Sequence, residues 1–262
     1  MQTLSDRQNE ILSIARTTGR VGVEELAERF AVTPQTIRRD LNELCDRNIL
    51  TRTHGGAMVS SSVENISYAA RRLIAAAQKQ AIGAAAAALI PDHSSLFINI
   101  GTTTEEVAHR LTFHQDLLVI TNNINVALTL YPSPAIKVVI AGGPVRSSDG
   151  AVVGSAAVDL IRQFKVDTAI IGASAIEEDG SLLDFDPLEV NVSRAIIENA
   201  RRVILVCDQM KIGRAAPVRI GHMAQIHTFV TDHLHAPRLR ATCAAHGVAV
   251  IEAGLGTLDR PE

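Results

Sequence analysis

The sequence predicts two domains: a small winged helix-turn-helix at the N-terminus and a larger α/β domain with a largely parallel sheet. Three observations predict this: an N-capped amphipathic pattern at residues 33–44, a short wing-like segment ending in Gly-Gly, and apolar runs alternating with helical patterns from residue 79 onward. With 262 residues, of which 47% are hydrophobic, the chain can bury a substantial core. We expect residues 1–57 to form the first domain, 58–78 a linker and connecting helix, and 79–255 the α/β domain.

The stretch TPQTIRRDLNEL has the pattern of a capped helix. Thr33 is a favourable N-cap residue, and Pro34 stands at the first helical position, where its missing N–H is not needed. Ile37, Leu41 and Leu44 recur at helical spacing, so one stripe of the helix must be buried. Upstream, VGVEELAERFAV predicts a shorter helix, with a brief turn between the two. The pair is therefore predicted to be a helix-turn-helix.

The second helix of such a pair lies in the major groove of DNA, where its first residues reach base edges. Its polar face suits this task here, because Gln pairs with adenine and Arg with guanine. We expect Gln35, Thr36 and Arg38 to contact bases and Arg39 and Arg52 to contact phosphates. The alternative is a helical packing module that binds no nucleic acid. The expected DNA-binding residues are Thr33, Gln35, Thr36, Arg38, Arg39, Arg52 and His54.

Charge limits how the first domain can bind DNA. Residues 1–57 contain eight Arg and no Lys against eight acidic residues, so the segment is formally neutral. The attraction must come from where the arginines are placed, and we expect a homo-oligomer, a dimer or tetramer, to multiply the contacts. The net charge of −3 excludes a basic coat that binds nucleic acid without specificity. Aromatic residues make up 3% of the chain, without Trp, which excludes stacking platforms for single strands.

Composition further indicates a cytoplasmic protein that needs no cofactor. Cys45, Cys207 and Cys243 are widely spaced and form no CxxC pair, as expected for reduced thiols. The N-terminus lacks the pattern of a secretion signal, and the run AIGAAAAALI is too short to span a bilayer. We also expect no metal site and no membrane partner.

Seven short apolar runs predict the strands of the α/β domain: SLFINI, LLVI, KVVIAG, TAIIG, RVILVCD, HTFVTD and VAVIEA. Before them, the Gly- and Ser-rich segment GGAMVSSSVEN predicts a linker, and SYAARRLIAAAQ predicts a connecting helix. Open α/β sheets bind ligands in the crevice beyond the carboxyl ends of their strands. A binding site is therefore expected in the turns that follow these runs.

The turn after the first run is GTTT, Gly101 to Thr104, predicted to lie between a strand and the start of a helix. This turn combines free backbone N–H groups, the positive end of the helix dipole and three hydroxyl groups. Together these groups can bind a phosphate, and we call the turn the anion seat. The alternative is that Thr103 or Thr104 only caps the helix. Both can hold together, and we favour the anion site because three consecutive hydroxyls exceed what a cap requires.

Two more turns add polar groups to this crevice. Asn122 follows the second run, in VITNNINVAL, with a similar strand-to-helix pattern. Gly142, Gly143 and Arg146 follow the third run. Glycine allows the backbone to approach a ligand closely, and a guanidinium pairs with an oxyanion.

A later loop, CDQMKIGR, carries a possible cation for the same ligand. Asp208 and Lys211 follow a predicted strand, and Lys211 is one of only four lysines in the chain. Its ammonium group would supply a point charge to a phosphate. Alternatively, Asp208 and Lys211 pair with each other or hold the loop.

The segment from RQNEILSIARTTGR to TRTHGGA resembles the N-terminal winged helix of DeoR-type transcriptional regulators. INIGTTT, TNN, AGGPVR, VVG and CDQMKIGR are similar to motifs of that family's sugar-phosphate sensor domain, so the resemblance covers nearly the whole chain. Ser193 departs from many relatives that handle larger sugar phosphates, which have Lys in that segment. The resemblance implies an effector pocket formed by Gly101, Thr102, Thr103, Thr104, Asn122, Gly142, Gly143, Arg146, Gly154, Asp208 and Lys211.

Within that family, ITNNINVA and EVNVSRAIIENAR most resemble the members that control glycerol 3-phosphate metabolism, which share the departure at Ser193. The resemblance implies a repressor that leaves its operator DNA when a small phosphorylated effector binds, with glycerol 3-phosphate the expected one. A repressor that responds to another phosphorylated sugar is the nearest alternative.

Two alternatives belong to other classes of protein. The family's sensor domain is similar in fold to ribose-5-phosphate isomerase, which needs a carboxylate base at a strand end. The corresponding turn here, GASAI at residues 172–176, contains no acid, so we expect no enzyme activity. The other alternative is a sensor that acts through protein partners without DNA.

Overall fold

The structure is a computed structural model that describes residues 4–18, 20–47, 49–58 and 67–254. The chain divides into two compact units, Met1–Ala76 and Ala77–Glu262. Parts of all three predicted segments lie outside the described residues, namely 1–3, 19, 48, 59–66 and 255.

The described part of the first unit contains helices and a small antiparallel sheet. Its three strands are Arg20–Gly22, Thr51–Thr53 and Gly56–Met58, with Gly56–Met58 in the centre, so the predicted wing is present and gains a third strand from the segment before the second helix. The elements are α1 (Asp6–Thr18), β1 (Arg20–Gly22), α2 (Val23–Arg29), α3 (Pro34–Asp46), β2 (Thr51–Thr53), β3 (Gly56–Met58) and α4 (Tyr68–Leu73).

Helix α3 forms where the capped pattern predicts it. The Thr33 side chain accepts a hydrogen bond from the Thr36 N–H at 3.3 Å, and Pro34 occupies the first helical position. Ile37, Leu41 and Leu44 are all buried, and the helix packs against α1 and α2. Each such side chain stabilises the fold by roughly 1.5–3 kcal/mol when it is removed from water.

The predicted connecting helix is interrupted. Helix α4 ends at Leu73, and Ala75 adopts a left-handed backbone conformation with φ of 51°, which ends the α-helical hydrogen-bonding pattern. Ile74 and Ala75 are buried, and the Ala75 N–H donates to Asn9 of α1 at 3.3 Å. Periodicity alone predicted one helix because it does not show this tertiary anchor.

The second unit is an α/β domain with helices on both faces of its main sheet. The apolar cluster on one face includes residues of α5, α6 and α7, and the cluster on the other includes residues of α8, α9 and α10. The helices are α5 (Ala76–Ala87), α6 (Thr102–Leu111), α7 (Ile124–Leu130), α8 (Ser155–Ile161), α9 (Pro187–Glu198) and α10 (Pro237–Ala245).

All seven predicted strands join one parallel sheet, which confirms the predicted fold class. They are β4 (Ser95–Ile98), β5 (Leu117–Thr121), β6 (Ile136–Ile140), β9 (Val166–Ile171), β12 (Ala200–Val206), β14 (Thr228–Thr231) and β15 (Ala249–Glu252). Their order in the sheet is β15-β14-β12-β9-β4-β5-β6. The chain thus runs outward from β4 to β6 and then returns to the other side of β4. The pair β4 and β9 marks the topological switch point, where sheets of this kind form a crevice.

Smaller antiparallel elements decorate this sheet and were not predicted. One is a ribbon of β7 (Val145–Arg146) and β8 (Ala151–Val152), and the other is a sheet of β10 (Ala175–Ile176), β11 (Ser181–Asp184) and β13 (Val218–His222). Several of these strands have only two residues, which is too short to produce a recognisable alternation in sequence.

Candidate DNA interface and effector site

The seven residues expected to bind DNA lie at the surface of the first unit. Thr33, Gln35, Arg38, Arg39, Arg52 and His54 are exposed, and Thr36 is partly exposed. Arg38 approaches Glu24 of α2 at 3.4 Å, but both side chains remain more than half exposed, so the ion pair is weak. Its guanidinium is therefore accessible to a nucleic acid.

Polar contacts hold α3 against α1 at the side of this surface. The Arg7 Nε donates to the Asp40 carboxylate at 2.6 Å, and the Gln8 amide donates to Glu43 at 2.9 Å. The hydrogen bond to Asp40 raises the pKa of Arg7. A groove of about 980 Å³ runs between the two helices and is lined by Arg7, Thr33, Gln35, Thr36, Arg39 and Asn42, among others. Arg7 was not among the residues expected to bind DNA, because only the packing of α1 against α3 brings it to this groove.

The GTTT turn differs from its predicted form. Helix α6 already begins at Thr102, and Gly101 is the N-cap residue, with φ of 148° and no side chain to cap the first turn. The alternative, that Thr103 or Thr104 caps the helix, is therefore wrong. Thr103 and Thr104 are buried, and the Thr104 hydroxyl bonds to the carbonyl oxygens of Asn99 and Gly101, both at 2.8 Å. An anion at this turn would therefore meet the backbone around Gly101 and Thr102 more than three hydroxyl groups.

This helix terminus lies at the switch point of the sheet. Gly101 follows β4, and Gly172 follows the neighbouring strand β9. A Cβ atom placed on Gly172 would lie 3.9 Å from the Thr104 side chain, so the two loops approach each other. Asn99, which no pattern singled out, is buried between them and donates to Ser193 of α9 at 2.8 Å.

Asn122 and Asn123 follow β5, the strand on the other side of β4. The Asn123 side chain caps α7 through the Asn125 N–H at 2.9 Å and donates to Glu105 of α6 at 3.1 Å. Asn122 is fully buried, and its Nδ2 donates to the Val152 carbonyl at 3.3 Å. Its Oδ1 has no hydrogen-bond donor among the described residues.

Arg146 was expected to pair with an oxyanion of the ligand, but the structure surrounds it with carboxylates of the protein itself. Its guanidinium contacts Asp149 at 2.7 Å, Asp186 at 2.5 Å and Glu189 at 2.6 Å. Burial alone would lower the pKa of Arg146, yet the hydrogen bond to Asp149 and the charge of Glu189 outweigh it, so that the pKa is raised. The cluster ties the β7–β8 ribbon to the start of α9.

Asp208 and Lys211 lie beyond the carboxyl end of β12. Asp208 is buried and caps a 3₁₀ turn, Gln209–Lys211, by accepting the Met210 N–H at 3.1 Å. Asp232, after β14, is also buried and accepts the Gln209 N–H at 2.7 Å. Burial raises the pKa of Asp232, and the nearby charge of Asp208 adds to the effect. The end of β12 is thus more acidic than the sequence pattern indicated.

The remaining predicted residues are glycines. Gly142 and Gly143 are exposed after β6, and Gly154 is the N-cap of α8; Gly143 and Gly154 have φ of 140° and 96°. Four of the predicted site residues thus lie beyond the carboxyl ends of parallel strands, and so on the same side of the sheet: Gly101, Asn122, Gly142 and Asp208. Gly101 and Asn122 follow adjacent strands, whereas Asp208 is separated from them by β9.

The described residues contain neither a metal-binding cluster nor a helix that could span a membrane. No group of three or more His, Cys, Asp or Glu side chains in that part of the chain is arranged to hold a metal ion. No helix there has both the length and the apolar character needed to cross a membrane.

Comparison with known proteins gives matches over both units. Residues 7–63 match the DeoR-like helix-turn-helix domain, and residues 74–233 match the DeoR C terminal sensor domain. The chain is 46% identical over 228 residues to the glycerol-3-phosphate regulon repressor of Escherichia coli (strain K12), covering 87% of this chain and 90% of the relative. It is 44% identical to the Haemophilus influenzae repressor of the same name, covering 86% and 88%.

More distant matches include the HTH-type transcriptional repressor CsqR of Escherichia coli (strain K12), 36% identical over 95% of both chains. Among solved structures, a D-ribose-5-phosphate isomerase in complex with phospho-erythronic acid has a TM-score of 0.39 at 16% identity, covering 51% of this chain and 52% of that chain. The translation initiation factor eIF-2B of Pyrococcus horikoshii OT3 has a TM-score of 0.47 at 14% identity, covering 87% and 89%.

Proposed function

Because the chain belongs to the DeoR family of transcriptional regulators, we propose that it represses genes of glycerol and glycerol 3-phosphate metabolism and is released from its operator by glycerol 3-phosphate. The relatives named glycerol-3-phosphate regulon repressor support this choice of effector. The observation that carries the proposal is the pairing of an exposed, polar recognition helix in one unit with an uncapped helix terminus at the sheet switch point of the other.

The proposed mechanism is thermodynamic linkage between the two sites. A homo-oligomer places two recognition helices at operator half-sites, and the effector binds more tightly to the arrangement that cannot hold DNA. By reciprocity, DNA must weaken effector binding by the same factor, typically about 1–3 kcal/mol. The phosphate is proposed to lie at Gly101 and Thr102, with Lys211 supplying positive charge from beyond β12.

The proposal also holds that the chain works without catalysis. The segment after β9, residues 172–176, contains no carboxylate, and the nearby acids Asp208 and Asp232 accept backbone N–H groups. Neither arrangement resembles a base that is free to move a proton beside a carbonyl. Turnover of pentose phosphates by the pure protein would contradict this part of the proposal.

A DNA-binding assay tests the proposed function. Full-length protein is incubated with fragments upstream of glycerol-uptake and glycerol-phosphate genes, in the presence of glycerol 3-phosphate, glycerol or inorganic phosphate. We expect specific binding to at least one fragment and its loss with glycerol 3-phosphate alone. If no fragment binds, a sensor that acts through protein partners becomes the better account. If a different phosphorylated sugar releases the DNA, the effector assignment is wrong.

Arg38→Ala is expected to weaken operator binding by about 1–3 kcal/mol and to relax base specificity at one position of each half-site. The reason is that Arg38 is exposed on the polar face of α3, where an arginine pairs with guanine. Arg39→Ala serves as the matched control, because a phosphate contact would be lost equally on cognate and random DNA. Equal losses for Arg38→Ala on both DNAs would reassign Arg38 to the phosphate backbone.

A further inference from the structure

One buried acceptor in the sensor unit has no hydrogen-bond partner among the described residues. Asn122 is fully buried at the end of β5, and its Oδ1 receives no hydrogen bond from any described residue. Most buried polar atoms in folded proteins are paired, because an unpaired one has lost its hydration without replacement. A hydrogen bond to this atom would therefore have to come from a donor outside the described chain.

The orientation of the amide is set by Val152 of the β7–β8 ribbon. The Nδ2 of Asn122 donates to the Val152 carbonyl at 3.3 Å, and the Asn122 carbonyl accepts the Val152 N–H at 2.8 Å. Turning the amide over would place Oδ1 against the Val152 carbonyl oxygen, two acceptors in contact. Oδ1 is therefore the side-chain atom without a hydrogen-bond partner among the described residues, and as an amide oxygen it can only accept a hydrogen bond.

The location of this acceptor links it to the anion seat. Ile98 of β4 and Thr121 of β5 are register partners, and the chain continues from them to Gly101 and to Asn122. Ile100, just before Gly101, packs against Ala151 and Val153, on either side of Val152. The segment that leads into α6 thus contacts the ribbon that carries Val152, and Asn122 follows the strand next to β4.

We propose that Asn122 Oδ1 accepts a hydrogen bond from a hydroxyl group of the effector and so selects phosphorylated polyols over phosphate esters that lack a hydroxyl. This inference rests on the proposed function, which places the phosphate at Gly101 and Thr102. A phosphate oxygen is repelled by Oδ1 and attracted by the backbone donors of α6, so the two ends of the ligand are sorted by their chemistry.

Oδ1 is closed to solvent, so a hydroxyl reaches it only when the β7–β8 ribbon shifts. The ribbon lies between Gly143 and Gly154, which both have positive φ, and glycine can change its backbone angles over a wider range than other residues because it has no Cβ atom.

The test is calorimetric titration of the full-length protein with glycerol 3-phosphate, propyl phosphate and inorganic phosphate. Propyl phosphate has the same carbon chain and phosphate but no hydroxyl. We expect wild-type protein to bind glycerol 3-phosphate about 10- to 100-fold more tightly than propyl phosphate, as for one buried hydrogen bond or slightly more. Asn122→Ser and Asn122→Ala are expected to lose most of this preference while binding propyl phosphate within about 3-fold of wild type. Asn191→Ala, at an exposed position of α9, is the control and should change neither affinity.

The outcomes separate this inference from the proposed function. If wild-type protein binds both esters equally, the hydroxyl role of Asn122 is refuted and the phosphate-responsive repressor stands. If no phosphate ester binds, the proposed effector site itself fails. If the variants lose both esters equally, Asn122 has only a structural role. If both variants fail to fold, which thermal unfolding would reveal, equal binding of the two esters by wild-type protein still refutes the inference.

Discussion

Arg146→Met is expected to lower the free energy of unfolding of the α/β unit by about 3–5 kcal/mol. Arg146 is the shared partner of three carboxylates, and the side chains of two of them, Asp149 and Glu189, are only 2% and 12% exposed. Without the guanidinium these carboxylates would stay close together after losing the positive charge that they share, and little water can reach Asp149 or Glu189 to replace it. The loss should appear in hydrogen exchange of the amides of the seven-stranded sheet, which reports on this unit alone.

Arg201→Met provides the matched control for this experiment. Arg201 approaches Asp167 at 3.5 Å, but both side chains are more than half exposed, so its removal should cost no more than about 1 kcal/mol. Adding Glu189→Gln to the Arg146 variant should recover part of the stability, because one buried negative charge is then removed. An Arg146 variant as stable as the Arg201 variant would mean that the carboxylates do not depend on Arg146.

This result also decides between two roles for Arg146. Its sequence context predicted a phosphate ligand, whereas its contacts indicate a clamp between the ribbon and α9. A stable Arg146→Met protein that no longer responds to glycerol 3-phosphate would support the phosphate role. An unstable protein that retains its affinity for the effector would support the clamp.

Lys211→Ala is expected to leave operator binding intact and to weaken glycerol 3-phosphate binding about 10- to 100-fold, so that ordinary effector concentrations no longer release the DNA. Lys211 lies in the 3₁₀ turn after β12, at the edge of the sheet that carries the proposed site. Burial raises the pKa of the Cys207 thiol to about 12, and the positive charge of Lys211 opposes that rise.

Operator binding and effector titration on the same variant measure the two expected effects separately. Lys137→Ala is the control, because Lys137 is exposed on the edge strand β6, away from its carboxyl end. A normal response of the Lys211 variant would remove Lys211 from the site. Loss of stability with unchanged effector affinity would favour the other possibility, that Lys211 only holds its loop beside Asp208.

Much of the fold could be predicted because its signals are local. Thr33 and Pro34 specify the start of α3 through their own side chains, and the buried stripe of Ile37, Leu41 and Leu44 follows from helical spacing. The seven parallel strands were visible because a strand covered on both faces is a continuous apolar run. The connecting helix was mispredicted, since its interruption at Ala75 coincides with a contact to Asn9, 66 residues away.

The sequence by itself determined the two-part architecture, the exposed polar face of the recognition helix and the edge of the sheet where polar turns gather. These properties follow from caps, periodicity and strand ends, which act over a few residues. Only the tertiary structure decided the partners of the site residues: Arg146 meets Asp186 and Glu189, 40 and 43 residues further along the chain. It also decided that the Thr104 hydroxyl bonds to the backbone and that the Oδ1 of Asn122 receives no hydrogen bond from the part of the chain that the structure describes. The physical reason is that charge pairing and burial depend on which distant segments of the chain come into contact. The spacing of residues within one segment does not show which segments those are.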